Sequence, residues 1–170
     1  MQLTQLLPDL EAQLAFGALL GASVPHLPLV VTLEGELGSG KTTLTRGVLR
    51  GLGYHGTVRS PTYTLLEPYP IGERCCAHLD LYRLGDPEEL EFLGLRDLLA
   101  EGCLLLVEWP QRGRGVLPEE DLRITLRYLQ QGREITLVSE NSAADQWLRE
   151  VRSRLPQNSS PLPEESPANN

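Results

Sequence analysis

The stretch Gly35-Glu36-Leu37-Gly38-Ser39-Gly40-Lys41-Thr42 reads glycine, four residues, glycine, lysine and a hydroxyl residue. This is the pattern of a phosphate-binding P-loop. It constrains the fold as well as the ligand. The loop needs a strand before it and a helix after it, so that loop N–H groups and the helix N-terminus face one anion. Both flanks comply. Leu29 to Leu33 (LVVTL) is a short apolar run rich in β-branched residues, which predicts a buried strand. Thr42 to Leu52 predicts a helix, with Leu44, Val48 and Leu49 at helical spacing. Of the fifteen lysines and arginines, Lys41 is the only lysine. A compact ammonium suits a tight loop around phosphates, where the wide planar fork of arginine does not. The pattern predicts a nucleoside triphosphate ligand but leaves the reaction open.

The rest of the chain narrows the class. With 170 residues it reads as one domain with a real core, over residues 1–155. From Pro156 to Asn170, proline, serine, asparagine and glutamate predict a disordered tail. A net charge of −8 argues against a large basic surface for nucleic acid, so any RNA contact is expected through a partner. Cys75, Cys76 and Cys103 fit neither a zinc set nor a disulfide framework and read as reduced thiols. Neither a signal peptide nor a membrane-spanning run is legible, which predicts a cytoplasmic protein without membrane contact.

Along the chain, Asp9 to Leu20 predicts a first helix with Leu10, Leu14 and Ala18 on one face. Strands are predicted over Thr62–Tyr69 and about Ala77–Tyr82, then short helices over Pro87–Leu93 and Leu95–Glu101, with Asp86 as N-cap. Cys103 to Glu108 reads as a central strand. Leu122–Leu129 and Glu134–Val138 flank Gln130-Gln131-Gly132 as a hairpin, and Ala143–Leu155 is a final amphipathic helix. The predicted fold class is α/β, a P-loop NTPase-like three-layer sandwich with a mostly parallel central sheet and a C-terminal antiparallel hairpin.

A P-loop still needs a metal site and a group for the attacking water. Mg²⁺ takes oxygen ligands, commonly a hydroxyl, a carboxylate, waters and phosphate oxygens. Thr42 supplies the hydroxyl. Glu108, at the carboxyl end of the run Leu104–Val107, is the leading carboxylate, because ligands of open parallel sheets bind at those ends. The alternative is an ordinary exposed acid at a strand end. Asp80 alternates with His78 and Tyr82 and could orient the attacking water, hold the metal's water shell, or form a structural ion pair with Arg83 or another arginine. Ser60-Pro61-Thr62 is either a γ-phosphate-sensing segment or a plain turn. Trp109 reads as core filler or as a residue that moves with Glu108.

Four stretches together resemble the TsaE (YjeE) family of bacterial P-loop ATPases: Glu34–Arg46, Val58–Tyr69, His78–Leu95 and Val107–Pro110. Within them SPTYTL, HLDLYRL with DPEELE, and VEWP are far more specific than the P-loop. The resemblance implies an ATPase of tRNA threonylcarbamoyladenosine synthesis that works with the TsaB–TsaD pair, resetting it between turnovers, and meets tRNA only through that complex. It implies ATP phosphates on Leu37, Gly38, Ser39, Gly40, Lys41, Thr42 and Thr43, and Mg²⁺ on Thr42 and Glu108. It also implies Asp80 as catalytic acid beside Lys41, Ser60 to Thr62 as the switch with Trp109 next to it, and nucleotide contacts from Glu11 and Arg133. Where the family usually has Asp, Ala and Thr, this chain has Glu36, Ser39 and Gln13.

Two other classes share the loop. A small-molecule kinase would need a closing lid, for which Arg112 and Arg114 are the available arginines. A nucleotide-dependent binding module would differ in what turnover achieves. A guanine-reading Asn-Lys-x-Asp motif is excluded, because it needs a second lysine. With no obvious arginine finger in the chain, slow intrinsic hydrolysis stimulated by the partners is expected.

Overall fold

The computed structural model describes residues 1–156; the tail predicted beyond Pro156 lies outside the described residues. Seven strands form one sheet: β1 (Gln2–Leu7), β2 (Leu29–Gly35), β3 (Leu66–Ile71), β4 (Arg74–Asp80), β5 (Cys103–Glu108), β6 (Leu122–Tyr128) and β7 (Arg133–Ser139). Their order is β1-β7-β6-β2-β5-β4-β3. β6, β2, β5 and β4 run parallel and form the centre, as expected. Antiparallel pairing occupies both edges: β7 with β6 and β1 on one side, and β3 with β4 on the other.

Strand alternation divides the interior into two cores. Leu29, Val31 and Leu33 of β2 and Leu104 and Leu106 of β5 pack under three α-helices, α1 (Leu10–Ala22), α2 (Lys41–Leu52) and the C-terminal helix of Ser142–Arg154. Val30, Leu105 and Val107 point the other way, against the 3₁₀ helix Pro87–Leu93 and α3 (Leu95–Ala100), which contribute Leu90 and Leu95. The C-terminal helix is therefore α4. Strands buried on both faces have the uninterrupted apolar character that the runs LVVTL and CLLLVE carry.

The helix ends follow their capping residues. Asp9 accepts from the Ala12 N–H at 2.7 Å and starts α1. Asp86 and Glu89 form a reciprocal capping box at Pro87–Leu93, as the Asp-Pro pair predicts. Asn141 caps α4 through the Ala144 N–H at 3.0 Å. α1 and α2 lie unusually close: an added methyl at Gly17 would stand 2.5 Å from the Leu44 carbonyl oxygen, and one at Gly47 2.9 Å from Gly17 Cα.

Several expectations are corrected. β1 is an additional strand, with only Leu3 and Leu7 buried. The buried stripe of α1 is Gln13, Phe16, Gly17, Leu20 and Gly21; Leu10 is half exposed. The strand expected from Thr62 begins at Leu66, because residues 62–64 form turns and Leu65 adopts a left-handed backbone (φ 65°). Its prolines, Pro68 and Pro70, are tolerated because β3 is an edge strand. β4 runs from Arg74 to Asp80, so Tyr82 lies beyond its end. Cys75 and Cys103, read as separate thiols, are disulfide-bonded. Parallel β4 and β5 set them side by side with Cα atoms 4.6 Å apart, a neighbourhood that 28 residues of separation conceal. Cys76 is the buried free thiol, and burial drives its pKa far upward, which leaves it inert.

Candidate nucleotide-binding site

β2, β4 and β5 end at one edge of the parallel centre, and an open cavity of about 500 Å³ lies there. The first half of the loop leaves β2 at Gly35. Gly38 (φ 79°) and Gly40 (φ 101°) adopt left-handed backbone, and Gly40 leads into α2. The N-terminal turn of α2, with Lys41, Thr42 and Thr43, opens onto the cavity. Leu37, Gly38 and Gly40 line it from the loop.

Lys41 is almost fully buried, at 4% exposure. Its Nζ donates to the carbonyls of Gly35 (2.7 Å) and Glu36 (3.0 Å) and sits 4.5 Å from the centre of the Trp109 ring. Burial lowers its pKa, opposed by the charges of Glu108 and Asp80. Trp109 follows Glu108 with a left-handed backbone (φ 56°), uncommon for a bulky residue, and this turn brings its indole to the lysine. It is partly buried at the cavity wall.

Glu108 is buried at the end of β5. Its Oε1 accepts from Thr42 Oγ1 at 3.1 Å and from His78 Nε2 at 2.8 Å. A hydroxyl with two lone pairs and a carboxylate, converging beside the glycine loop, are hard oxygen donors that fit Mg²⁺. Asp80 is the register partner of Glu108 across β4 and β5. Its Oδ1 accepts from the Tyr82 N–H at 3.1 Å. Burial raises its pKa; the Tyr82 N–H opposes that rise, and the charge of Glu108 adds to it. The alternative ion pair with Arg83 is not formed, because that guanidinium lies over the Tyr63 ring at 4.6 Å.

Ser60 and Thr62 also line the cavity, with their hydroxyl oxygens 2.6 Å apart. Pro61 is buried between them and accepts from the Leu65 N–H at 2.8 Å. Leu65 in turn accepts from the Asp80 N–H at 3.0 Å, tying this segment to the end of β4. Arg133 lines the cavity, donates to the Ser39 carbonyl at 2.8 Å and stacks over Tyr128 at 5.2 Å. Tyr128 donates its hydroxyl hydrogen to the Gly38 carbonyl, so β6 and β7 brace the loop from the side.

Not every expected residue reaches the cavity. Leu10 lines it in place of Glu11, which is exposed in the first turn of α1. The Ser39 side chain is fully buried and its hydroxyl has no partner, so only its backbone serves the loop. Arg112 and Arg114, the candidate lid arginines, lie outside the cavity wall, which instead carries Arg83 and Arg133. Gln13 is fully buried and donates from Nε2 to the Gly40 carbonyl at 2.8 Å. No local pattern in the sequence signals that contact across 27 residues. His78 shares a strand face with Asp80, and its alternation with that acid was the available signal.

The chain is similar to several known proteins. The family model described as Threonylcarbamoyl adenosine biosynthesis protein TsaE matches residues 7–135. A tRNA threonylcarbamoyladenosine biosynthesis protein TsaE from Haemophilus influenzae is 45% identical over 144 residues, covering 82% of this chain and 91% of that protein. The TsaE protein of Bacillus subtilis is 41% identical over 111 residues, covering 65% of this chain and 69% of its own length. The crystal structure of Bacillus subtilis YdiB superimposes with a TM-score of 0.73 at 31% identity, covering 90% of this chain and 95% of that one.

Proposed function

The chain belongs to the TsaE family of tRNA threonylcarbamoyladenosine biosynthesis, and on that premise we propose that it binds ATP with Mg²⁺ and hydrolyses it in support of the TsaB–TsaD pair. Hydrolysis resets that complex between turnovers, while the group transfer belongs to the partners, and the work is done in the cytoplasm. One observation carries this reading: the P-loop lysine and threonine, Glu108 and Asp80 converge on a single cavity at the carboxyl ends of parallel strands.

In this reading the loop N–H groups and the start of α2 bind the phosphates, with Lys41 at their outer oxygens. Lys41 leaves its two loop carbonyls and the Trp109 ring to do so. Thr42 and Glu108 hold Mg²⁺, which when bound neutralises charge on the β- and γ-phosphate oxygens. Asp80 orients the attacking water and takes its proton; the burial that raises its pKa makes the ionised carboxylate a better base. Ser60, Pro61 and Thr62 sense the γ-phosphate, and their link through Leu65 to Asp80 gives that movement a route to the catalytic carboxylate. Arg83 and Arg133 are both stacked on tyrosines, which supports slow turnover by the isolated protein.

The test is phosphate release from ATP by the purified protein, alone and with TsaB–TsaD. Stimulation by the partners, lost in Lys41→Ala, is expected. Brisk release without them, none with them, or transfer to a small acceptor in place of water would overturn the reading.

A further inference from the structure

The ring of His78 is fully buried in β4, between Ala77 and Leu79, which face the opposite core. A polar ring in such a position costs stability unless it is hydrogen-bonded. Its one bond is to Glu108 Oε1 at 2.8 Å, and its other nitrogen, Nδ1, has no partner. A carboxylate only accepts, so Nε2 carries the hydrogen and His78 is the donor. The same oxygen takes the Thr42 hydroxyl hydrogen at 3.1 Å. Thr42 thereby spends its only hydrogen on Glu108 and keeps both lone pairs for a cation. With both donors on Oε1, no donor among the described residues reaches Oε2.

We propose that His78 is a positioning residue of the metal site: its Nε2–H fixes the Glu108 carboxylate so that the other oxygen and the Thr42 lone pairs face one Mg²⁺. An apolar side chain would suit β4 at least as well, so the buried imidazole is explained by what it holds. The chemistry parallels the outer partners of metal ligands in general, which orient the ligand without touching the ion and whose loss typically weakens metal affinity about 10- to 100-fold. This inference rests on the magnesium-dependent nucleotide site proposed above.

Binding of a fluorescent ATP analogue to the full chain, titrated with MgCl₂, separates the possibilities without reference to turnover. His78→Leu removes the donor, and His78→Gln returns an amide N–H near the position of Nε2. His78→Leu is expected to keep the metal-free nucleotide affinity and need about 10- to 100-fold more magnesium, with His78→Gln recovering most of the loss. An unchanged magnesium requirement in His78→Leu overturns the proposal, as does an equal loss of metal-free binding. If His78→Leu does not fold, His78→Phe, a planar ring without a donor, takes its place: a raised magnesium requirement supports the proposal and an unchanged one refutes it. A wild-type protein whose nucleotide affinity ignores magnesium overturns the site reading and this inference together. A magnesium-dependent wild type with an indifferent His78→Leu overturns this inference only.

Discussion

Asp80 and Glu108 are register partners at the carboxyl ends of neighbouring parallel strands, yet their side chains are restrained very differently. Glu108 is held by two side-chain donors, Thr42 and His78, on one oxygen. Asp80 accepts only the backbone N–H of Tyr82 and borders the cavity. Two acids side by side thus divide into one fixed by donors and one free to meet water, a difference of environment that suits the metal and water roles proposed for them.

Asp80→Asn should therefore lower partner-stimulated hydrolysis by about 10²- to 10⁴-fold, the usual range for a positioned acid or base. Nucleotide affinity should stay within a few-fold of wild type. Glu108→Gln should instead raise the magnesium requirement. Single-turnover phosphate release and nucleotide titrations at several magnesium concentrations separate the two, and normal hydrolysis by Asp80→Asn would remove it from the mechanism.

The pH dependence of stability follows from burial of the same acid. Its folded pKa lies above the ordinary value of 3.8. Between those two values the folded chain keeps a proton that the unfolded chain has released. Stability therefore falls as pH rises through that window, and the penalty is complete above the folded pKa. Asp80→Asn has no such penalty. Urea unfolding should find the variant more stable than wild type at neutral pH, with the difference fading as pH falls toward 3.8. A difference that grows on acidification would show that the carboxylate is stabilised in the fold.

What the sequence disclosed depended on the range of the signal. The P-loop, its strand and helix, and the acid ending CLLLVE are local patterns, and all are found as read. β1 escaped notice because it buries only Leu3 and Leu7 and draws its order from pairing with β7 at the other end of the chain. The α1 face was misread because its contact with α2 is made by Gly17 and Gly21, which carry no hydrophobic signal. TYTLLEPY opens with the strand-favouring Thr62-Tyr63-Thr64, but Thr62 to Leu65 are taken by a turn that meets Asp80. Gln13, His78 and the Cys75–Cys103 pair each depend on a neighbour supplied by topology.

Gln13 offers a test of how α1 supports the loop. The Gly40 carbonyl accepts two hydrogens, from Leu44 N–H at 2.9 Å within the helix and from Gln13 at 2.8 Å. Gln13→Leu removes the second bond and also a buried amide oxygen that has no partner. A net hydrogen bond contributes about 0.5–1.5 kcal/mol, and losing the unpaired oxygen offsets part of that in stability. Global unfolding should change little, while ATP affinity falls by roughly two- to tenfold as the loop loses its tie to α1. Unchanged affinity would make Gln13 a packing residue alone.

Gly51→Ala tests the close approach of the two helices, and here two effects oppose each other. Alanine favours an α-helix over glycine by about 1 kcal/mol. At Gly51, however, a methyl would overlap the Ala18 carbonyl oxygen and stand 2.7 Å from the Ala22 nitrogen, both backbone atoms that no rotamer change can move. Overpacking of this kind costs about 1–3 kcal/mol, and α1 must shift to relieve it. The clash should win: denaturant unfolding is expected to show net destabilisation, although the substitution improves helix propensity. Because Gln13 and the Gly40 carbonyl lie on the same pair of helices, the displaced α1 should also loosen the loop and weaken nucleotide binding. A stabilised Gly51→Ala protein with unchanged affinity would mean that the helices have room to separate and that their spacing does not govern the site.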